Sequence, residues 1–107
     1  MPPASEEQFA LISAALSPDN TLIAAVASKR IRVVGLLMVA AGAVVARFES
    51  DTGGTALTGA MSLITGTPIQ LYNPLGLFET DVANELLNLE LSAAVLVAGF
   101  MTYHLID

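Results

Sequence analysis

The stretch from Arg30 to Ser50, RIRVVGLLMVAAGAVVARFES, limits the possible folds more than any other part of the chain. Its charges lie only near the two ends, and every residue from Val33 to Ala46 is apolar or glycine. A transmembrane helix needs about 20 such residues, whereas a run of about 10 to 14 is more often a buried element. The run is therefore short for a membrane span and long enough for buried strands.

The two halves of this stretch favour extended structure. Between Val44 and Glu49 one face of a strand is wholly apolar and the other carries Arg47 and Glu49, the period of a half-buried strand. The half before Ala41 is apolar on both faces, which is typical of a strand buried on both, either in its own domain or against a neighbouring subunit. We interpret the stretch as a β-hairpin with its turn near Ala41-Gly42. A single amphipathic or membrane helix is the alternative.

Length and composition set further limits. A chain of 107 residues predicts one domain. Apolar residues make up 54% of it and charged residues only 13%, which is a high apolar content for a soluble monomer. The excess apolar surface must be hidden in an oligomer or face lipid. The net charge of −6 leaves only Lys29, Arg30, Arg32 and Arg47 as cations. Because Lys and Arg clusters supply most nucleic-acid affinity, we expect no nucleic-acid binding.

The absence of cysteine removes disulfides and thiolate metal sites. The N-terminal sequence MPPASEEQ is acidic and has no basic flank before an apolar core, so we expect no secretory signal. Met1 to Glu7 is predicted to be a flexible arm, with residues 8–107 as a single β-sandwich domain.

Turn signals recur about every 8 to 12 residues, which predicts an all-β sandwich or barrel. Apart from the central hairpin, the predicted strands are Gln8–Leu16, Asn20–Ala27, Thr55–Ile64 (with a bulge at Gly59), Ile69–Leu71, Leu77–Thr80, Glu85–Ser92 and Val95–Ile106.

The strongest strand signal is Glu85 to Ser92. Its leucines at positions 87, 89 and 91 point one way, and Asn88, Glu90 and Ser92 point the other. Leucine is a helix former, but a helix would scatter the polar residues into the apolar stripe, so pattern outweighs propensity. We expect a buried leucine face and a solvent-exposed polar face.

No residue set predicts catalysis. His104 is the single histidine and lies in an alternating strand, so we expect it to have a structural role or to lie on the surface. The serines have no histidine–carboxylate pair to activate them. Glu79 and Asp81 are close in sequence, but solvated loop charges explain them better than an acid/base pair. We therefore expect no enzyme, no cofactor and no metal.

The segment Tyr72-Asn73-Pro74-Leu75-Gly76 allows two interpretations. Asn-Pro begins turns readily and Gly76 accepts a positive φ, so the segment is a plain turn in the first. In the second, Tyr72 and Phe78 present an aromatic edge to a partner.

Five segments follow one another in a characteristic order: Lys29–Val33, Ala43–Ser50, Thr55–Gly59, Tyr72–Thr80 and Leu87–Ser92. Together, over about Gln8 to Ile106, they resemble small all-β proteins encoded in tailed-phage structural gene clusters, of the capsid cement or decoration type. The resemblance implies a jelly-roll-like antiparallel β-sandwich. It also implies a symmetric oligomer, with a trimer as first choice, that is assembled in the host cytoplasm and sits on the outer capsid surface of the virion.

Such a protein binds the major capsid protein and itself, and neither nucleic acid nor membrane. Many weak symmetric contacts then act together through avidity. The arm is expected to order only on the capsid. The residues expected to bind a partner are Pro2, Pro3, Ser5, Glu6, Tyr72, Asn73, Pro74 and Phe78.

Two other functions remain open. A jelly roll can be a virion-borne glycan- or receptor-binding module, which predicts a concave aromatic patch. The aromatic residues available for such a patch are Tyr72, Phe78, Tyr103, Phe100, Phe9 and Phe48. The chain is also more apolar between Val33 and Ala46 than this family leads us to expect, which keeps a small holin-like membrane protein as an alternative. Its spans would be Val33–Ala46 and Ala93–Met101, both short for the purpose.

Overall fold

The computed structural model describes residues 6–107, which form ten β-strands and no helix. Within this range there is accordingly no helix long and apolar enough to cross a membrane. The strands are β1 (Gln8–Ala14), β2 (Asp19–Ile23), β3 (Arg30–Ala40), β4 (Val44–Ser50), β5 (Thr55–Ala56), β6 (Met61–Leu63), β7 (Ile69–Tyr72), β8 (Phe78–Glu79), β9 (Leu87–Leu91) and β10 (Val97–Ile106).

The strands form two antiparallel sheets that pack on each other. Sheet A has the order β1-β10-β3, with β7 and β8 both paired to the far edge of β3. Sheet B has the order β2-β9-β4, with β5 and β6 both paired to the far edge of β4. If each interrupted edge is counted as one strand, eight strands wind between the sheets with jelly-roll connectivity. The predicted jelly-roll-like antiparallel β-sandwich is confirmed.

Both interrupted edge strands carry an excursion in the chain. Asn73 to Leu77 leaves the edge of sheet A between β7 and β8, and Leu57 to Ala60 does the same in sheet B between β5 and β6. The strand predicted over Thr55–Ile64 is therefore in the right place but broken around Gly59 rather than bulged. The turn predicted at Tyr72–Gly76 also forms, but the chain does not reverse there: β7 before it and β8 after it pair with the same edge of β3.

The core fills the space between the inward faces of the two sheets. The strictly buried side chains include three leucines of β9, and the largest side chain among them is Phe48, whose ring centroid lies 4.8 Å from that of Phe78. The other large buried side chains are Ile12, Ile31, Val33, Val34, Met38, Val97 and Met101. Because about 25 cal/mol is gained per Å² of buried apolar surface, this layer supplies the main stabilisation.

The hairpin predicted for Arg30 to Ser50 is wrong in its pairing. The chain does turn between Ala40 and Val44, but β3 belongs to sheet A and β4 to sheet B. The inward face of β3 is apolar, as is that of β4 from Val44 to Phe48, and the two faces meet across the core instead of lying side by side. Alternation along a strand shows which face is buried, but it does not identify the strand's hydrogen-bonded neighbour.

The register predicted for Glu85–Ser92 is confirmed, but its polar face is not solvated throughout. Leu87, Leu89 and Leu91 are buried. Asn88 points away from them and is nevertheless fully buried, as is the neighbouring Glu49 at 1% exposure. The expectation that Asn88 lies at the surface is wrong, because polar side chains of sheet B cover it.

Candidate interaction surface on sheet A

The outward side of sheet A is covered by side chains from four adjacent strands. The register places β1, β10, β3 and β7 side by side in three rows. We call these eleven residues the apolar face: Phe9, Thr102, Gly35 and Tyr72 in the first row, Leu11, Phe100, Leu37 and Gln70 in the second, and Ser13, Ala98 and Val39 in the third. None of the eleven is Asp, Glu, Lys, Arg or His.

The large apolar side chains of the apolar face are exposed to solvent. Leu11 is 71% exposed, Tyr72 64% and Phe9 61%. The Phe9 and Phe100 rings stack with their centroids 5.5 Å apart, and Phe100 remains 38% exposed. Single exposed apolar residues are ordinary, but a contiguous patch of this kind marks an interaction site.

A groove of about 500 Å³ crosses this face. Gly35 lies between two of its lining residues, Thr102 and Tyr72, and a side chain would not fit there: a Cβ would lie 2.4 Å from Thr102 Oγ1 and 3.3 Å from Tyr72 Cδ1. Aromatic walls and a few polar groups are the usual composition of a small-ligand or peptide groove. Its lining residues are Glu7, Leu36, Leu37, Gln70, Leu71, Tyr72, Phe100 and Thr102.

Charge is concentrated beyond one end of the apolar face, where β3 begins and β10 ends. Arg30 and Arg32 both pair with Glu79, the latter through Nε at 3.0 Å. Lys29 pairs with Asp107. This hydrogen bond, together with the lysine charge, lowers the pKa of the Asp107 carboxyl below its ordinary value. Three of the chain's four cations thus pair with carboxylates at this end.

The His104 side chain lies at the same end. Its Nε2 is 4.0 Å from Glu7 Oε1, and its side chain is 26% exposed. No second histidine exists in the sequence to share a metal with it.

The loop from Tyr72 to Gly76 is held by its own hydrogen bonds. Asn73 Oδ1 accepts from Leu75 N at 2.9 Å, and Asn73 O accepts from Gly76 N at 2.9 Å. Gly76 has a φ of +112°, and a Cβ there would lie 2.9 Å from Arg32 Cδ. The plain-turn interpretation is therefore correct for Asn73, whose side chain serves the turn.

The partner-binding residues expected from sequence are divided by the structure. Tyr72 and the exposed Asn73 and Pro74 lie on the outside of the sheet A edge, and Glu6 is exposed just before β1. Phe78 is half-buried and packs against Phe48, so only part of its ring is left for a partner. The remaining three, Pro2, Pro3 and Ser5, lie outside the described residues.

Sequence reasoning missed the main part of the surface. The sequence places Leu11 in a strand but in no interface, and it offers Phe9 and Phe100 only as aromatic residues for a glycan-binding patch. The available signal was the run from Phe9 to Ile12, which is apolar on both faces of a strand that occupies a sheet edge. What the sequence could not indicate is that β10 and β3 continue the same row.

A second polar feature lies on the outward side of sheet B. Carboxylate oxygens of Asp19, Glu49 and Glu90 lie within 4.8 Å of one another. Arg47 Nη2 donates to Glu49 at 2.6 Å and to Glu90 at 2.9 Å, and Asn88 Nδ2 donates to Asp19 and Glu49, each at 2.9 Å. The hydrogen bond to Glu49 and the charge of Glu90 raise the pKa of the Arg47 guanidinium.

This sheet B cluster has the chemistry of an internal polar network. Its carboxylates already receive donors from a guanidinium and an amide, which supply what a bound cation would supply. No histidine or cysteine joins it within residues 6–107. The cluster therefore stabilises the strand order β2-β9-β4, and we assign it no catalytic role.

Comparison with known proteins gave no match to any family model, curated protein or solved structure.

Proposed function

We propose that this protein is a structural binding protein of a virion, a capsid cement or decoration protein that binds the outer surface of a viral head as a symmetric oligomer and stabilises it. The proposal combines the sequence resemblance with one structural observation, the exposed and uncharged apolar face of sheet A. Its partners are the major capsid protein and further copies of itself. It performs no catalysis and needs no cofactor.

The apolar face supports a role in assembly for a physical reason. A free soluble monomer gains nothing from leaving two stacked phenylalanines and Leu11 in water, whereas association removes that area from water. A protein added to a lattice after the lattice forms needs such surfaces together with a fold stable on its own. A compact jelly roll with a continuous core meets both needs.

We assign the capsid contact to the Tyr72–Leu75 loop. This loop projects from the β7/β8 edge of sheet A, across the groove from the β1 edge. Leu75 is 84% exposed there, beside the exposed Asn73 and Pro74. The arm of Met1 to Glu7 adds a second contact, as a polar segment that orders only on the capsid. Two small contacts per subunit, repeated by symmetry, give high avidity.

The test is a binding and stability measurement on undecorated capsids. Added protein should bind saturably and raise the capsid disruption temperature, because a ligand specific for the assembled state stabilises it by mass action. Deleting Met1–Glu7, or replacing Leu75 by Ser, should weaken binding and leave the circular dichroism spectrum unchanged. A matched control is Val82→Ser, which alters an exposed apolar side chain of a different loop. Absence of binding by the intact protein would exclude this function.

A glycan- or receptor-binding module is the second candidate, favoured by the groove. That function predicts a concave aromatic patch, and the groove has Tyr72 and Phe100 as walls with Gln70, Thr102 and Glu7 as hydrogen-bonding groups. A glycan array distinguishes the two functions. Binding that is lost in Tyr72→Ala, by a protein that ignores capsids, would replace the first proposal by the second.

A further inference from the structure

We infer that the apolar face of sheet A is an interface between two copies of this chain, packed face to face about a two-fold axis that runs across the strands. The inference rests on the self-association required by the proposed function and specifies the surface used. It replaces the trimer implied by the sequence resemblance with a dimer as the basic unit.

The size of the face suits a protein interface. The exposed fractions of Phe9, Tyr72 and Phe100 correspond to about 300 Å² of aromatic surface, taking about 200 Å² for each side chain. Leu11 is 71% exposed, and Leu37 and Val39 are half-buried, so they add further apolar area. A specific interface buries about 800 Å² on each partner, including its polar rim. The apolar face can thus form the centre of one.

Charge explains why the partner is a second copy. The chain carries a net charge of −6, so two copies repel each other over most approaches. The apolar face is the exception, because none of its eleven residues is Asp, Glu, Lys, Arg or His. A strongly charged partner would leave its charges desolvated and unpaired there, whereas a second apolar face brings none.

The direction of the axis follows from the charged end of sheet A. An axis along the strands would place Arg30, Arg32 and Glu79 of one copy against the same residues of the other. An axis across the strands turns the two charged ends in opposite directions and leaves the apolar rows in contact. Isologous interfaces of this kind are the commonest in soluble oligomers.

The three rows are complementary under this operation. The middle row of Leu11, Phe100, Leu37 and Gln70 lies on the axis, so each of its residues faces its own copy. The first row then lies over the third row of the partner. Phe9 meets Ser13, and Val39 meets Gly35, so that in these two contacts a large side chain meets a small one. Such alternation lets two sheets interdigitate at about 10 Å separation.

The first test is the mass in solution. Light scattering or sedimentation should give twice 11.1 kDa for the native chain. Leu11→Glu should weaken dimerisation at least about a hundredfold, because two like charges would face each other on the axis. Ile64→Glu is the matched control: Ile64 is 61% exposed, lies outside sheet A, and the substitution should leave the mass unchanged.

The second test is chemical cross-linking, which the absence of native cysteine makes simple. Leu11→Cys should be joined to its own copy by a short bifunctional maleimide at low protein concentration, since the axis brings the two side chains together. Ile64→Cys should not be joined. Circular dichroism of each variant verifies that the fold is intact.

Several outcomes would overturn the inference: a monomeric mass at tens of micromolar, a mass of three subunits, or a dimer unaffected by Leu11→Glu. None of these depends on capsids. If the native protein is a dimer that binds no capsid, and Leu11→Glu makes it monomeric, the result would support the inference and exclude the proposed function. A monomer that binds capsids would do the reverse.

Discussion

The Asn88 amide donates a hydrogen bond of 2.9 Å to the Glu49 carboxylate, and both side chains are buried on the side of sheet B that faces away from the core. Asn88 also donates to Asp19 Oδ1 and accepts from Asn20 N. A single amide therefore joins β2 and β4 through the strand between them. A buried carboxylate is tolerated only when it receives such donors.

Asn88→Asp should reduce the free energy of unfolding by about 3 kcal/mol, because it replaces a donor by a third carboxylate between Glu49 and Asp19. Thermal denaturation should show a fall in Tm of about 15 °C for a domain of this size. Asn84→Asp is the control: Asn84 is exposed, its Oδ1 accepts from Ser28 N, and an aspartate keeps that acceptor. Equal effects of the two substitutions would show that the buried network contributes no stability.

Leu89→Ala should cost about 3 kcal/mol, since Leu89 is fully buried opposite Phe48 and the lost methyl groups leave a cavity. Urea denaturation measures the loss. Val82→Ala, at a half-exposed loop position, should change stability by less than about 0.5 kcal/mol. A small effect at Leu89 would contradict the register of β9.

Gly99→Ala should destabilise the protein by about 3 kcal/mol or more. A Cβ at this position would lie 1.9 Å from the Leu37 carbonyl oxygen, which is backbone of the neighbouring strand and cannot move aside without disturbing the pairing of β10 with β3. Gly59→Ala has open space around it and should be neutral or slightly stabilising. Paired chemical denaturation of the two variants tests this. A Gly99→Ala variant as stable as Gly59→Ala would refute the close approach.

The carboxyl of Asp107 should titrate below its ordinary pKa of 3.8, because Lys29 donates a hydrogen bond to it and adds a positive charge. The pKa of Asp107 is lower in the folded than in the unfolded chain. The pair therefore stabilises the protein at pH values above the pKa of Asp107 in the unfolded chain. That stabilisation is lost as the pH falls through the folded value. NMR titration measures the midpoint, and Lys29→Met should return it toward 3.8. An unchanged midpoint in Lys29→Met would exclude the pair.

The sequence predicted the inward faces of the sandwich well. The alternation of leucines in β9 and of apolar residues in β4 depends on local geometry, in which every second side chain shares a face. The turn at Tyr72–Gly76 was predictable for the same reason, because the conformations of asparagine, proline and glycine are local. These signals are contained in a few consecutive residues.

Strand neighbours and surface function were not predictable in this way. That β3 pairs with β10 rather than β4 depends on contacts far apart in sequence, and both alternatives bury the same inward residues. The burial of Asn88 depends on Arg47 and Glu49 from another strand. The apolar face exists only once Leu11, Phe100 and Leu37 lie side by side, which no local pattern indicates.

The two interrupted edge strands limit where a strand of another molecule can add to the sheets. On the β5/β6 and β7/β8 side an incoming strand would find backbone ladders of only two to four residues, too short to template further pairing. On the opposite side β1 offers seven uninterrupted residues, with neither lysine nor proline among them, and pairs with β10 alone among the described strands. The other edge strand on that side, β2, has five residues, begins with Asp19 and is interrupted by a register shift between Thr21 and Ile23. Fibrillar growth would accordingly start most readily at β1, and a lysine placed there is the change that would hinder it.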